Sequence, residues 1–216
     1  LMQAEAILET LPAEVVILKK IEPIIEGVMV NLRRIFQRPC VEFGRGSRLR
    51  QEGRAPYLHI LRWLSEGQDW SLDIREVIKQ NPEHRLSVGQ VIQKGFLENL
   101  LKEKEDILQE HFVYIPESQI LSVEDPKIIF YLKNIVWKNF SRECGFTNRI
   151  FKGTYDVALS FAGSDRNIAK LFFDKLSERQ MAVFYDFNEQ HNILAENVEN
   201  YLAPIYASES EFVIPI

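Results

Sequence analysis

The sequence has little of what marks disulfide frameworks, metal centres or membrane spans. Cys40 and Cys144 are the only cysteines among 216 residues. No Cys-x-x-Cys pair and no cysteine–histidine cluster at zinc spacing occurs, so neither a stapled fold nor a metal site is signalled. Apolar runs such as Val15–Leu18 are far shorter than the roughly 20 residues that span a bilayer. No charged, apolar and cleavage-site pattern opens the chain. No membrane partner is expected, and a reducing, cytoplasmic setting is. A strong excess of positive charge is absent too: the formal net charge is −5, with 26% charged and 46% hydrophobic residues. That composition belongs to a globular protein of one or two domains.

What is present begins with helical periodicity. Ala4, Ile7, Leu8 and Leu11 predict an amphipathic helix over Met2–Leu11, ended before Pro12, and Val15–Phe36 predicts a longer one with Pro23 at its first turn or at a kink. Between Arg33 and Arg62 the character changes. Arg33, Arg34, Arg38, Arg45, Arg48, Arg50, Arg54 and Arg62 face only Glu42 and Glu52, and Gly44, Gly46 and Gly53 suggest a flexible basic loop. A solvated loop, a nucleic-acid contact and a nucleotide-phosphate contact are all open readings of it. A complete P-loop is excluded, because no lysine followed by serine or threonine sits at the required spacing.

From Pro56 the pattern predicts three helices: one around Tyr57–Leu64, one over Leu72–Ile78 and a long one over Ser87–Leu108. Two short strand-like runs follow, Phe112–Pro116 and Gln119–Val123, around Glu117-Ser118. This is the order of elements in a winged helix. Its third helix offers Gln90, Gln93 and Lys94 to a nucleic acid, but the mixed run Glu98–Asp106 would repel phosphate, so DNA contact is not favoured. Asp125-Pro126 predicts a further helix to about Phe140, with Trp137, Phe140 and Phe146 as packing residues. The expected organisation is a helical region with a basic loop over 1–54, a winged-helix-like domain over 55–146, a linker over 147–153, and a final domain over 154–216.

That final domain opens with the most informative stretch. Tyr155–Phe161 reads as a buried strand, halted at Ala162-Gly163-Ser164-Asp165. A helix follows, capped by Ser164 or Asp165, with Ile168, Leu171, Phe172 and Leu176 expected on its inner face and Lys175 snorkelling beside them. A second strand, Ala182–Tyr185, completes a βαβ unit, whose ligands bind beyond the carboxyl ends of the strands. Those ends are Phe161 to Arg166 and Asp186 to Gln190. From Gly153 onward Arg166, Lys170, Lys175 and Arg179 oppose ten acidic residues, a net of −6 that does not favour nucleic acid.

Tyr155-Asp156-Val157-Ala158-Leu159-Ser160-Phe161-Ala162-Gly163-Ser164-Asp165-Arg166, followed some twenty residues later by Val183-Phe184-Tyr185-Asp186, resembles the opening of a bacterial Toll/interleukin-1 receptor (TIR) domain. The resemblance implies an α/β, flavodoxin-like parallel sheet that self-associates through its surfaces. In many members it also hydrolyses NAD+ between nicotinamide and ribose. It places Phe187–Leu194 at the family's BB loop, where Ala195 stands in place of a frequent glycine. His191 reads as a surface loop residue.

For NAD+ as substrate, Phe161 and Phe187 are candidate ring contacts and Arg166 a candidate phosphate partner. Ala162, Gly163, Ser164 and Asp165 supply amides at a helix amino terminus, and Asp186 completes the strand-end set. No other cofactor and no metal is expected. The family's catalytic glutamate lies on the helix after the third strand, beyond Ile216, so no catalytic residue is assigned. Leu1 inside a helical pattern and the strand-like ending Glu211–Ile216 suggest a fragment, with the sheet cut after its third strand. The series of parts also resembles the tail of bacterial multidomain ATPases of immune signalling, which implies an ATPase domain upstream in the same chain. Three classes stay open: an NAD+-hydrolysing effector, a non-enzymatic TIR interaction module, and a winged-helix DNA binder.

Overall fold

The computed structural model describes residues 21–47, 54–147, 154–186 and 198–216. The expected helix over Met2–Leu11, Arg48, Arg50, Gly53, most of the linker and the loop from Phe187 to Ala195 lie outside them. Helix α1 (Ile21–Arg45) overlaps the helix expected over Val15–Phe36 and continues into the first part of the stretch expected to be a basic loop, whose residues 48–53 lie outside the described ones. Leu32, Phe36, Cys40 and Phe43 recur every three or four residues and are all buried. Each such burial is worth roughly 1.5–3 kcal/mol, which outweighs the roughly 3 kcal/mol cost of Pro39 inside the helix. Arg33, Arg34 and Arg38 therefore ride on a helix, Arg62 on the next one, and the side chain of Arg54 is largely covered. Burial raises both thiols, Cys144 to about 12, and the two cysteines are free.

Gly46, in the left-handed region at φ 73°, ends α1; a Cβ there would run into the Tyr57 ring. Lys104 satisfies the carbonyls this end leaves open. Its Nζ donates to Glu42 O (3.2 Å), Gly46 O (3.1 Å) and Glu42 Oε2 (2.8 Å).

Helix α2 (Pro56–Glu66) leads to strand β1 (Ser71–Asp73) and helix α3 (Ile74–Gln80). Leu72 was expected in a helix, yet it pairs with Leu121 in a sheet. The helix starts later because Asp73 Oδ1 accepts from the amides of Arg75 (3.0 Å) and Glu76 (3.3 Å), a side-chain cap.

The long third helix is likewise divided, into α4 (Arg85–Gln93), α5 (Phe96–Glu103) and α6 (Glu105–Leu108). Gly95 at φ 68° makes the first break. Strands β2 (Phe112–Ile115) and β3 (Ile120–Val123) close an antiparallel sheet of order β1-β3-β2. The helix expected from Asp125 to Phe140 splits into α7 (Lys127–Lys133) and α8 (Trp137–Glu143), where Asn134 Nδ2 takes the Phe130 carbonyl (2.8 Å). One core joins these elements from Leu32 to Phe146, across position 54.

The second sheet is parallel, of order β5-β4-β6, with β4 (Tyr155–Ser160) central, β5 (Val183–Phe184) and β6 (Ser210–Pro215). Helix α9 (Arg166–Glu178) packs with a face that shares only Leu176 with the expected one. Ala169, Phe173 and Leu176 meet the sheet, while Ile168, Leu171 and Phe172 are 50%, 63% and 41% exposed. Both stripes have helical spacing, and the small Ala169 lets the helix approach β4. Gln180 at φ 61° then turns the chain, with Met181 N donating to Leu176 O (3.2 Å). Helix α10 (Val198–Pro204) and a π-helical turn (Ile205–Glu209) lead into β6. No helix among the described residues is long and apolar enough to cross a membrane.

The helical part and the parallel sheet touch through specific groups. Arg54 Nε stands 3.5 Å from Asp156 Oδ1, with side chains only 8% and 3% exposed. Asp156 Oδ2 accepts the Ala182 amide at 2.7 Å. Leu86 of α4 packs on Tyr155, Ala158, Phe184 and Ile205. Gln90 Nε2 donates to Ser177 O (3.3 Å), and Lys94 Nζ lies 5.7 Å from the Phe173 ring centroid. Removing one partner of a buried ion pair strands the other, so Arg54→Ala is expected to cost about 3–5 kcal/mol. Urea denaturation would check this; a loss under about 1 kcal/mol, the range of surface pairs, would show that the pair does not hold the two parts together.

Candidate functional site

The sheet twist and the parallel register bring the carboxyl ends of β4 and β5 side by side, with Val157 opposite Val183 and Ala158 opposite Phe184. Chain leaving β4 passes through Phe161 and Ala162 into a 3-10 turn (Gly163–Asp165) and then into α9. Ala162, Gly163 and Ser164 are exposed there. The side-chain caps expected from Ser164 or Asp165 do not form. Instead the Asp165 amide donates to Ala162 O (2.9 Å), and the Ser164 hydroxyl donates to Asp165 Oδ2 (3.2 Å). The 3-10 turn has used the geometry that a side-chain cap needs.

Arg166, at the first position of α9, reaches across to the end of β5. Its Nη2 lies 3.9 Å from Asp186 Oδ2, both side chains being partly exposed. Asp186 Oδ1 is buried and accepts no hydrogen bond among the described residues. Phe161 stacks on Tyr185 with centroids 5.5 Å apart, and Phe173 stacks on Tyr185 at 5.2 Å. These three rings form one column along the strand ends. Behind them Tyr206 OH donates to Leu159 O at 3.3 Å, tying the π-helical turn to β4.

Phe161, Arg166 and Asp186 thus converge, Ala162 to Asp165 form the loop beside them, and Phe187 lies outside the described residues. Tyr185 and Phe173 were not foreseen as parts of this end. Their signal was an aromatic at the last strand position and another on α9, which only the observed helix face brings together. Among the described residues no group of three His, Cys, Asp or Glu side chains could hold a metal.

Over 60 residues, 28% of the chain, the sequence is 37% identical to the 3' cyclic ADP-D-ribose synthase AaTIR of Aquimarina amphilecti. This similarity supports a TIR domain. The matched stretch spans 18% of the length of that relative. No family model matches the chain, and no solved structure matches it significantly. An α/β arrangement with a parallel sheet is compatible with a TIR domain, and the strand-end set lies on that sheet.

The ring column and the ion pair differ in what they contribute to stability. Phe161 is half-buried, so Phe161→Ala is expected to cost about 2 kcal/mol, below the roughly 3–5 kcal/mol of a fully buried phenylalanine. Arg166→Ala should cost less than about 1 kcal/mol, since its pair is long and solvent-screened. Thermal melting of the two variants reads the difference, and equal losses would overturn this division of roles.

Proposed function

We propose that the chain carries the NAD+-binding end of a TIR-type unit that cleaves NAD+ between nicotinamide and ribose, acting as a signalling or immune effector. The observation that carries the reading is the similarity to a 3' cyclic ADP-D-ribose synthase, whose product retains the ADP-ribose part of NAD+. The strand-end geometry supports it. Phe161 in the ring column is a candidate wall for a flat heterocycle, and Arg166 is a candidate partner for a phosphate oxygen. An anion arriving at Arg166 would compete with Asp186, and the amides around Ala162–Asp165 at the start of α9 would favour the same charge. These residues bind and orient; cleavage itself needs a carboxylate that stabilises positive charge on the ribose.

The helical part we read as a winged helix, on the order α2, β1, α3, the divided helix α4–α6, β2 and β3 and the sheet order β1-β3-β2. Its α4, which would enter a DNA groove, instead meets the TIR-like unit, the sheet through Leu86 and α9 through Gln90 and Lys94. This favours a relay between an upstream ATPase domain and the TIR-like unit, in the cytoplasm, over DNA reading. Titration calorimetry with NAD+ tests the site. Arg166→Ala is expected to weaken binding about ten- to a hundredfold, the equivalent of roughly 1.5–3 kcal/mol. Unchanged binding in that variant would remove Arg166 from the pocket, and no NAD+ binding by the parent chain would sink the reading.

A second reading, assembly through TIR surfaces, is favoured by the exposed stripe Ile168, Leu171 and Phe172 on α9. Concentration-dependent association in light scattering is expected, and Leu171→Glu with Phe172→Glu should abolish it. A parent chain that stays monomeric at high concentration would count against this reading.

A further inference from the structure

A cavity of about 240 Å³ opens between α2 and α8, remote in sequence from the strand-end site. Its wall is cationic and aromatic: Arg54, Arg62 and Lys138 on one hand, Trp137 and Phe146 on the other, with His59 between the helices' faces. No carboxylate lines it among the described residues. Burial, the nearby His84 and Arg62 push His59 down to about 4, so its ring is neutral at physiological pH and adds no charge of its own. The cavity's polarity therefore comes from three permanent cations. Arg62 is exposed and held by Glu66 one helical turn away (3.0 Å), a surface pair that an incoming anion can displace.

We propose that this cavity is a binding site for a nucleoside monophosphate, its phosphate held by Arg54, Arg62 and Lys138 and its base laid against Trp137 and Phe146. Arg54 already faces Asp156 and Arg62 faces Glu66, so an arriving phosphate would compete for two of the three cations and also meet Lys138, while the aromatic wall matches a flat base. Inorganic phosphate would satisfy the charges and leave the aromatic wall wet. The volume suits a mononucleotide better than a dinucleotide. Arg54 gives the site its consequence, because the same guanidinium stands 3.5 Å from Asp156 on β4. A phosphate on Arg54 shares that cation with the central strand of the parallel sheet. Occupancy on the helical side is thereby communicated to the TIR-like side, and by reciprocity the state of β4 alters affinity for the nucleotide.

The experiment is a calorimetric titration of the purified chain with each of the four ribonucleoside monophosphates and, separately, with inorganic phosphate. At least one nucleotide should bind below millimolar concentration, and phosphate at least about tenfold more weakly. Lys138→Ala and Arg62→Ala should each weaken nucleotide binding about tenfold or more. Both side chains are exposed, so the variants should melt like the parent. Arg166→Ala, at the strand-end site, should leave this binding unchanged. The proposal is overturned if none of the four binds at millimolar concentration, if both charge removals are without effect, or if phosphate binds as tightly as the nucleotide. Loss of binding in Arg166→Ala would assign the nucleotide to the strand-end site and overturn it too. In NMR titrations the His59 ring should gain protons at higher pH when the nucleotide is bound, since an adjacent anion stabilises the imidazolium.

Discussion

A carboxylate near the start of a buried strand needs polar partners where it stands, and Asp156 imposes that requirement on the whole molecule. A carboxyl group this fully enclosed would be costly to bury without partners. One oxygen takes the Ala182 amide, which fixes the entry of the chain into β5. The other faces Arg54, which comes from the start of α2. One side chain thus sets the relation of β4 to β5 within its own sheet and anchors the helical part to that sheet. Leu86, Gln90 and Lys94 complete a contact that Asp156 has already oriented.

Much of this was legible in the sequence, and the exceptions have physical causes. The strand–loop–helix–strand order from Tyr155 to Tyr185 was readable because a continuous apolar run stops at a small-residue loop. The hairpin after Phe112 was readable from two short β-rich runs around Glu117-Ser118. What misled was punctuation. Gly44 and Gly46 suggest a loop, but a stripe of four buried side chains keeps α1 helical as far as Arg45, and a Cβ at Gly44 would sit 3.0 Å from Cys144 Sγ. Arg54 looked like one more member of a basic stretch, since its partner lies a hundred residues away. On α9 two apolar stripes compete, and periodicity alone does not say which one meets the sheet. The strand-end set itself came from the rule that ligands sit beyond parallel strands, and Phe161, Arg166 and Asp186 do converge there. The stack of Tyr185 between Phe161 and Phe173 is a tertiary product, brought together only by the observed face of α9.

The helix that a winged-helix reading would send into DNA illustrates how context reassigns chemistry. Gln90 is suited to read a base edge, yet here its amide donates to the carbonyl of Ser177 near the end of α9. Lys94, suited to a phosphate, lies near the Phe173 ring, which belongs to the same column that backs Phe161. The groups that would serve nucleic-acid recognition therefore buttress the strand-end site from behind.

The parallel sheet also carries an imbalance between its two seams. Val157 pairs with Val183 on one side and with Phe212 on the other, separations of 26 and 55 residues. Closing the longer loop costs only about 0.7 kcal/mol more in chain entropy. Yet the β4–β5 seam has two registered pairs and the β4–β6 seam five. The chain entropy favours the nearer strand as first partner, while the greater number of pairs makes the distant strand the firmer one. Fraying of this sheet should accordingly begin at β5, on the side where Asp186 and Arg166 meet, so that the site sits on the seam that opens most easily.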